Sequence, residues 1–236
     1  MIQDYQRKDE KKVIYVPFKV NSKQIILTYV LVIMNIMAYV CTFVIGDLNG
    51  WSSGQALWMF GAKVNYCIYA GEYWRLITCM FLHASFVHLI TNCYALFIYG
   101  KITEKFYGRW RFIAIYFIAG LVSSCLSYLL SSSASVGASG AIFGLFGSLL
   151  YFRQKRKDVF KQIFGWQFIA ILVLNLVMSF IVPEIDLFGH IGGLIGGYVA
   201  TVMVGFIGEK RNVKLTVAMA ATLAVIIGCC LIIKIV

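Results

Sequence analysis

The sequence contains few charged residues and very few prolines. Of its 236 residues, 13% are Asp, Glu, Lys or Arg, and two are proline. A water-soluble domain carries roughly 25% charged residues, so this chain has too little polar surface to face water on all sides. The composition also excludes a disordered chain, a coiled coil and a collagen-like chain. Because hydrophobic residues make up 61% of the chain, we expect it to lie largely within a lipid bilayer.

Acidic residues are scarce as well, with 10 Asp and Glu against 21 Lys and Arg, which gives a net charge of +11. Of the 21 basic residues, 18 fall in four short segments between apolar runs, residues 1–23, 101–111, 153–161 and 208–214. Cytoplasmic loops of membrane proteins carry such an excess, so we predict a cytoplasmic N-terminus and an external C-terminus. A nucleic-acid-binding protein would instead gather basic residues on one face of a soluble domain, and we expect no such partner.

Seven apolar segments reach or approach the roughly 20 residues that a membrane-spanning helix needs. They are residues 24–46, 82–100, 112–132, 137–152, 162–183, 187–207 and 215–236. The sequence therefore predicts an all-α, multi-pass membrane protein. Its small size and short loops favour a bacterial plasma membrane, with an organelle membrane as the alternative.

Ionisable side chains are costly inside spans, so each one is a candidate functional residue. All three histidines, His83, His88 and His190, fall in predicted spans. The motif GASG at residues 137–140 begins the fourth span, and His190 lies about four residues into the sixth. Both spans enter from the same side, which places Ser139 and His190 at a similar depth, roughly 5–10 Å below the outer surface. A serine and the histidine that activates it need such a matching depth.

The spacing of polar residues in the second span suggests which side chains work together. His88 and Asn92 are four residues apart and share one helical face. His83 and His88 are five residues apart, about 140° around a helix, and we expect them to point in different directions. Two metal ligands on one helix normally stand four apart, which disfavours a metal site on His83, His88 and His190 without excluding it. The seven cysteines show no CxxC spacing. The sequence does not decide whether Cys67 and Cys79 form a disulfide.

Taken together, these residues resemble the rhomboid family of intramembrane serine proteases. The motifs follow the family order: Trp74-Arg75, His83-xxxx-His88-xxx-Asn92, Gly137-x-Ser139-Gly140 and His190-xx-Gly193-xxx-Gly197. The resemblance covers roughly residues 24–207 and implies a six-helix rhomboid-like catalytic core. Residues 1–23 would then form a basic cytoplasmic segment, and residues 208–236 a cytoplasmic linker with one additional, seventh transmembrane helix.

The resemblance also implies a role for each matching residue. Ser139 is the expected nucleophile and His190 the general base and acid, while His88, Asn92 and the Ser139 backbone N–H stabilise the oxyanion. The supporting residues are Trp74 and Arg75, which brace the external loop, together with His83, Gly137, Gly140, Phe143, Gly193 and Gly197. Phe143 stands where the family often has a tyrosine that packs beneath the histidine. The sequence shows no acidic third member, and it identifies no group that orients His190.

The resemblance implies an endopeptidase that forms an acyl-enzyme. Its expected partners are the lipid bilayer and single-pass membrane proteins, cut within or near their transmembrane segments, and no cofactor is expected. A catalytically inactive rhomboid-like protein that binds or escorts membrane helices is the alternative. A transporter is disfavoured because the sequence shows no internal repeat with broken spans.

Overall fold

The computed structural model describes residues 25–206 and 212–233. The predicted basic segment 1–23 lies outside these residues, as do residues 207–211 and 234–236. The helices in the described ranges are α1 (Leu27–Leu48), α2 (Ser53–Phe60), α3 (Asn65–Tyr69), α4 (Arg75–Thr78), α5 (Phe86–Ala95), α6 (Lys101–Tyr107), α7 (Arg109–Leu130), α8 (Ser139–Lys155), α9 (Lys157–Phe164), α10 (Gln167–Ile181), α11 (Leu187–Val204) and α12 (Val213–Ile232). A 3₁₀ turn over Cys79–Phe81 follows α4, and a π-helical turn over Leu96–Gly100 joins α5 to α6.

The apolar helices fit the predicted membrane architecture. Four of them, α1, α7, α11 and α12, are long and apolar enough to cross a bilayer. Two bent pairs pass the same test and raise the number to as many as six: Arg75–Phe81 with Phe86–Tyr107, bent by 92°, and α9 with α10, bent by 77°. The remaining predicted span contains α8, which has 17 residues. The prediction of an all-α, multi-pass membrane protein is confirmed, and the number of spans stays a prediction.

The helices extend into two connections that the charge pattern assigned to loops. Between α6 and α7 only Gly108 is non-helical, with a φ of 79°. Between α8 and α9 only Arg156 is non-helical. Long basic side chains reach water from a helix end, so a helix can continue past the lipid boundary without burying charge.

The N-terminus of α1 is held by a buried carboxylate from α6. Glu104 accepts the backbone N–H groups of Ile26 and Leu27 at 3.0 and 2.9 Å. It also accepts the N–H and the hydroxyl of Thr28, each at 2.8 Å. The first N–H groups of a helix lack partners inside it, and a negative charge there interacts favourably with the helix dipole. Glu104 therefore fixes the start of α1, a helix that otherwise exposes most of its side chains.

Helices α7, α8 and α11 form the centre of the protein, and glycines bring α8 and α11 close together. A Cβ atom built at Gly193 would overlap the carbonyl oxygen of Gly140, and one at Gly197 would overlap that of Gly144. Because neither helix has side chains at this contact, the two backbones touch directly. The contact places the start of α8 beside the first turns of α11.

Candidate active site

Ser139 and His190 meet at the end of the α8–α11 contact. Ser139 is the first residue of α8, and His190 is the fourth residue of α11. The Ser139 Oγ atom lies 2.9 Å from His190 Nε2, and His190 is 7% exposed. This distance is within the hydrogen-bond reach that a general base needs to take a proton from a hydroxyl.

Phe143 fixes the plane of the His190 ring. The two ring centroids are 4.1 Å apart, and the ring planes differ by 16°. Phe143 lies one helical turn after Ser139 on α8. One helix therefore carries both the hydroxyl and the flat apolar surface on which the imidazole stacks, as the family resemblance implied for this position.

The first turn of α11, which carries His190, is capped by Asp186. The Asp186 Oδ1 atom accepts the Gly189 N–H at 2.8 Å, and the Asp186 carbonyl accepts the His190 N–H at 3.0 Å. An aspartate at this position satisfies helix N–H groups that have no partner within the helix. The sequence analysis did not assign this role, although an aspartate directly before an apolar run is a recognisable helix-start signal.

The second ring nitrogen of His190 contacts a residue that the sequence analysis did not identify. His190 Nδ1 lies 2.6 Å from the Oγ atom of Ser179, which is on α10 and buried. The sequence shows Ser179 only as a hydroxyl within an apolar span. This is weak evidence for a contact with His190, because such hydroxyls commonly bond to a carbonyl of their own helix.

His88 approaches the loop that leads into α8. A Cβ atom at Gly137 would lie 2.8 Å from His88 Nε2 and 3.7 Å from Ser139 Oγ. The φ angle of Gly137 is 132°, a conformation that favours glycine. Gly137 thus gives the His88 imidazole access to the neighbourhood of Ser139.

Asn92, the other predicted oxyanion residue, bonds within its own helix. Its Nδ2 atom donates to the His88 carbonyl at 2.9 Å. Its Oδ1 atom is buried, with no hydrogen-bond partner among the described residues. The hydrogen bonds of the described ranges do not join Asn92 to Ser139, so its part in oxyanion stabilisation stays a prediction.

The prediction that His83 and His88 point in different directions is wrong. Their ring centroids are 5.1 Å apart at an angle of 68°. The helix begins only at Phe86, after Ser85, whose hydroxyl accepts the His88 N–H at 3.2 Å, so helical spacing does not apply to His83. His83 Nδ1 lies 3.2 Å from the Phe81 carbonyl oxygen. Despite the close histidines, the described part of the chain contains no group of three His, Cys, Asp or Glu side chains arranged to hold a metal ion.

Arg75 joins several parts of the segment between α1 and α4. Its Nη1 atom donates to the carbonyl oxygens of Trp58 and Ala62 at 2.7 and 3.0 Å, and its Nε atom pairs with Glu72 at 2.7 Å. The guanidinium carbon lies 4.8 Å from the ring centroid of Trp74. A planar guanidinium can stack and donate several hydrogen bonds at once, so this single side chain connects α2 to α4.

Lys63 is a second buried cation in this segment, and the sequence analysis did not single it out. Its side chain is fully buried. The acceptors of its Nζ atom are Asn65 Oδ1 at 2.9 Å and the carbonyl oxygens of Ser127 at 3.3 Å, Ser131 at 3.1 Å and Ser133 at 2.7 Å. Three of these four acceptors are carbonyl oxygens at the end of α7 or just after it, so Lys63 closes the C-terminus of α7.

The backbone of Lys63 also fixes the loop before the nucleophile candidate. Lys63 and Ser135 exchange two backbone hydrogen bonds, each 3.0 Å long. Ser135 precedes Ser139 by four residues. Lys63 therefore connects the segment after α1 to the loop that sets the position of Ser139.

We expect Lys63 to make the stability of the protein depend on pH. Burial lowers the pKa of Lys63 from 10.5 to about 8, and the nearby Asp186 carboxylate offsets part of this effect. The unfolded chain then binds this proton more tightly than the folded chain. Stability should rise as the pH increases from about 8 towards 10.5. The melting temperature in detergent, measured across this range, tests the expectation.

Two variants separate the contribution of Lys63 from the other lysines. Lys63→Met should lower the melting temperature, because the buried acceptors lose their donor. It should also flatten the rise above pH 8, because the group whose titration causes the rise is gone. Lys214→Met, at an exposed position on α12, should leave the profile unchanged. A profile that keeps its full rise in Lys63→Met would contradict this assignment.

A small cavity of mixed polar and apolar lining adjoins the Ser139–His190 pair. Its volume is about 20 Å³, and its lining includes Lys63, Ser123 and Asp186 beside Ser139 and His190. A cavity of this size holds about one water molecule when polar partners are present. The side chains around the pair thus provide room and hydrogen-bonding groups for water.

Comparison with known proteins places the whole site in one domain family. The model of the family "Rhomboid domain" matches residues 70–206, more than half of the chain. The chain belongs to the rhomboid family. The match contains every candidate site residue from Trp74 to Gly197. The resemblance inferred from the motifs is therefore confirmed.

Individual rhomboid relatives match a large part of this chain. "Rhomboid protease GluP" of Bacillus subtilis (strain 168) is 40% identical over 204 residues, which are 86% of this chain and 38% of GluP. "RHOMBOID-like protein 6, mitochondrial" of Arabidopsis thaliana is 40% identical over 134 residues, 56% of this chain and 43% of that protein. "RHOMBOID-like protein 5" of the same plant is 38% identical over 143 residues, 58% of this chain and 46% of that protein. The chain thus spans less than half the length of each of these relatives. Membership of the rhomboid family and the apolar helices identify an integral, multi-pass membrane protein.

Proposed function

We propose that this rhomboid is an intramembrane serine endopeptidase that uses a Ser139–His190 dyad. The observation that supports the proposal most directly is the 2.9 Å contact between Ser139 Oγ and His190 Nε2. The contact joins two helices whose glycine-lined backbones touch. It is partly buried and backed by the stacked ring of Phe143. A hydroxyl becomes a useful nucleophile when a positioned imidazole accepts its proton.

The proposed reaction proceeds through an acyl-enzyme. Ser139 Oγ attacks the carbonyl carbon of the scissile peptide bond while its proton passes to His190 Nε2. The imidazolium then returns that proton to the leaving amine, and the peptide bond breaks. Water, deprotonated by the same imidazole, hydrolyses the ester and restores the free serine. The small cavity beside the pair has room for about one such water molecule.

We assign stabilisation of the oxyanion to hydrogen-bond donors around the start of α8. Ser139 is the first residue of this helix, so its backbone N–H has no partner within the helix. His88, which reaches the same loop across Gly137, is the proposed side-chain donor. Asn92 has an amide hydrogen beyond the one directed to His88 and is the proposed further donor. Donors held in place before the reaction stabilise the developing charge without reorganisation.

The proposed substrates are single-pass membrane proteins, cut within or near their transmembrane segments. The reacting pair lies on α8 and on α11, which is long and apolar enough to cross a membrane, so a membrane-embedded substrate is the kind that this position favours. The positive-inside charge pattern supports a cytoplasmic N-terminus and an external active site. The proposed location is a bacterial plasma membrane.

The experiment that tests the function is cleavage of a panel of single-pass substrates by the protein in liposomes. We expect at least one substrate to be cut, and a fluorophosphonate probe to label the protein at Ser139. The Ser139→Ala protein serves as the control and should neither cleave nor become labelled. Cleavage by this variant at the wild-type rate would overturn the proposal. A wild-type protein that binds membrane helices without cleaving or labelling would favour the inactive rhomboid-like alternative.

A further inference from the structure

We propose that Ser179 is a positioning residue that holds His190 in the tautomer needed for catalysis. This inference rests on the proposed protease function. The geometry that points to it is the 2.6 Å contact between Ser179 Oγ and His190 Nδ1, on the side of the ring opposite Ser139. Ser179 thus takes the place that an acidic residue holds in a Ser-His-Asp triad.

The hydrogen bonds around Ser179 give its hydroxyl a direction. The Ser179 Oγ atom lies 2.7 Å from the carbonyl oxygen of Asn175, one turn earlier on α10. A carbonyl oxygen only accepts, so the single hydroxyl hydrogen of Ser179 is directed there. The lone pairs of Ser179 Oγ then remain for the His190 Nδ1–H. The network runs from His190 Nδ1–H to Ser179 and from Ser179 to Asn175.

This direction selects the reactive tautomer of His190. A proton on Nδ1 leaves Nε2 with a free lone pair facing Ser139 Oγ at 2.9 Å, as a general base requires. When Nε2 takes the serine proton, the ring carries hydrogens on both nitrogens, and Ser179 still accepts the one on Nδ1. Because Ser179 and His190 are both buried, water does not readily replace this acceptor.

The nearby carboxylate of Asp186 does not orient the His190 ring. Asp186 is four residues before His190, but the hydrogen bond of its side chain goes to the backbone N–H of Gly189. The contact to His190 Nδ1 comes instead from a neutral hydroxyl on a separate helix. The structure therefore supplies an orienting group that neither the sequence motifs nor the helix bearing His190 reveals.

An isosteric pair of variants tests the role of the Ser179 hydroxyl. Ser179→Thr keeps the hydroxyl, and Ser179→Val has nearly the same shape without it. We expect Ser179→Val to lower kcat about 10- to 100-fold, as loss of an orienting partner typically does, with KM changed little. Ser179→Thr should recover most of the wild-type kcat. The measurements are cleavage kinetics of a membrane substrate in liposomes and the rate of fluorophosphonate labelling at Ser139.

Stability and a second serine provide the controls. Ser148→Ala removes another buried hydroxyl, one that bonds the Leu145 carbonyl of its own helix, and should leave kcat unchanged. The Thr and Val variants should melt at similar temperatures, so that a difference in kcat reports the hydroxyl. Equal kcat values in Ser179→Thr and Ser179→Val would overturn the inference while the wild-type protein still cleaves. Absence of wild-type cleavage and labelling would instead reject the protease function itself.

Discussion

Replacing His190 with alanine is expected to lower kcat/KM for a membrane substrate by about 10⁴-fold or more. The reason is that Ser139 then has no base within reach, since Nε2 of His190 is its hydrogen-bond partner at 2.9 Å. Ser139→Ala should cause a loss of the same size. The double variant should be no less active than either single variant, because residues that act as one unit are not additive. Cleavage kinetics in liposomes and fluorophosphonate labelling measure all three.

His83 offers a matched histidine control for this prediction. Its ring lies beside His88, and its bond from Nδ1 reaches the Phe81 carbonyl. We expect His83→Asn to reduce kcat/KM by only about tenfold, at the low end for a supporting residue, because these contacts of its ring are to neither Ser139 nor His190. A His190→Ala protein that retains a tenth of the wild-type rate, or that still labels at Ser139 at the normal rate, would contradict the assignment of the base.

Gly193→Ala is expected to lower kcat/KM about 100-fold, because a 1 Å misplacement of reacting groups has an effect of this order. A Cβ atom at Gly193 would overlap the Gly140 carbonyl oxygen and lie 2.8 Å from the Gly140 carbonyl carbon. The obstacle is backbone, which no rotamer change can move aside. Helices α8 and α11 must therefore separate, which pulls His190 away from Ser139. Cleavage kinetics and the melting temperature measure the two consequences, and overpacking of this kind typically destabilises by about 1–3 kcal/mol.

Gly228→Ala is the control for the glycine contact. Gly228 lies within α12, and a Cβ atom there would meet nothing within 4 Å. Alanine favours the helix by roughly 0.5–1 kcal/mol over glycine, so this variant should keep full activity and equal or higher stability. If Gly193→Ala were as active as Gly228→Ala, the direct backbone contact would not be what sets the distance between Ser139 and His190.

The motifs predicted the central geometry because they combine residue type with helix depth. Ser139 and His190 each follow the start of an apolar segment, and two helices that begin on the same side of a membrane bring such residues to one level. The glycines three and seven residues after His190 predicted a close approach to the fourth span. The depths of Ser139 and His190 follow from the local sequence. Only the packing of the two helices against each other is a long-range feature, and the glycines indicate it.

Helical spacing failed for His83 because it assumes a continuous helix. Ser85 has an extended backbone and the helix begins only at Phe86, so the five-residue separation of His83 from His88 does not translate into an angle. Hydropathy gives no warning of this break, since the residues on both sides of it are apolar. The exact start of a helix depends on capping, and Ser85 provides that cap.

Other contacts depend on tertiary structure that the sequence does not encode locally. Glu104 reaches the start of α1 from a position 76 to 78 residues away. Ser179 meets His190 only because α10 packs beside α11, and Lys63 is buried only because the end of α7 surrounds it. A single sequence shows the polar side chain but not its partner. The sequence alone does not distinguish such residues from ordinary residues of loops or helices.

The bend between α9 and α10 leaves a short straight helix beside His190. Its 15 residues give a length of about 22 Å, whereas the hydrocarbon layer of a typical bilayer is about 30 Å thick. Most of its side chains are exposed, and few interior contacts hold it in place. A helix shorter than the hydrocarbon layer is accommodated by local thinning of the bilayer around it. Because this helix carries Ser179, which contacts His190, the lipid is thinned beside the group proposed to orient the imidazole.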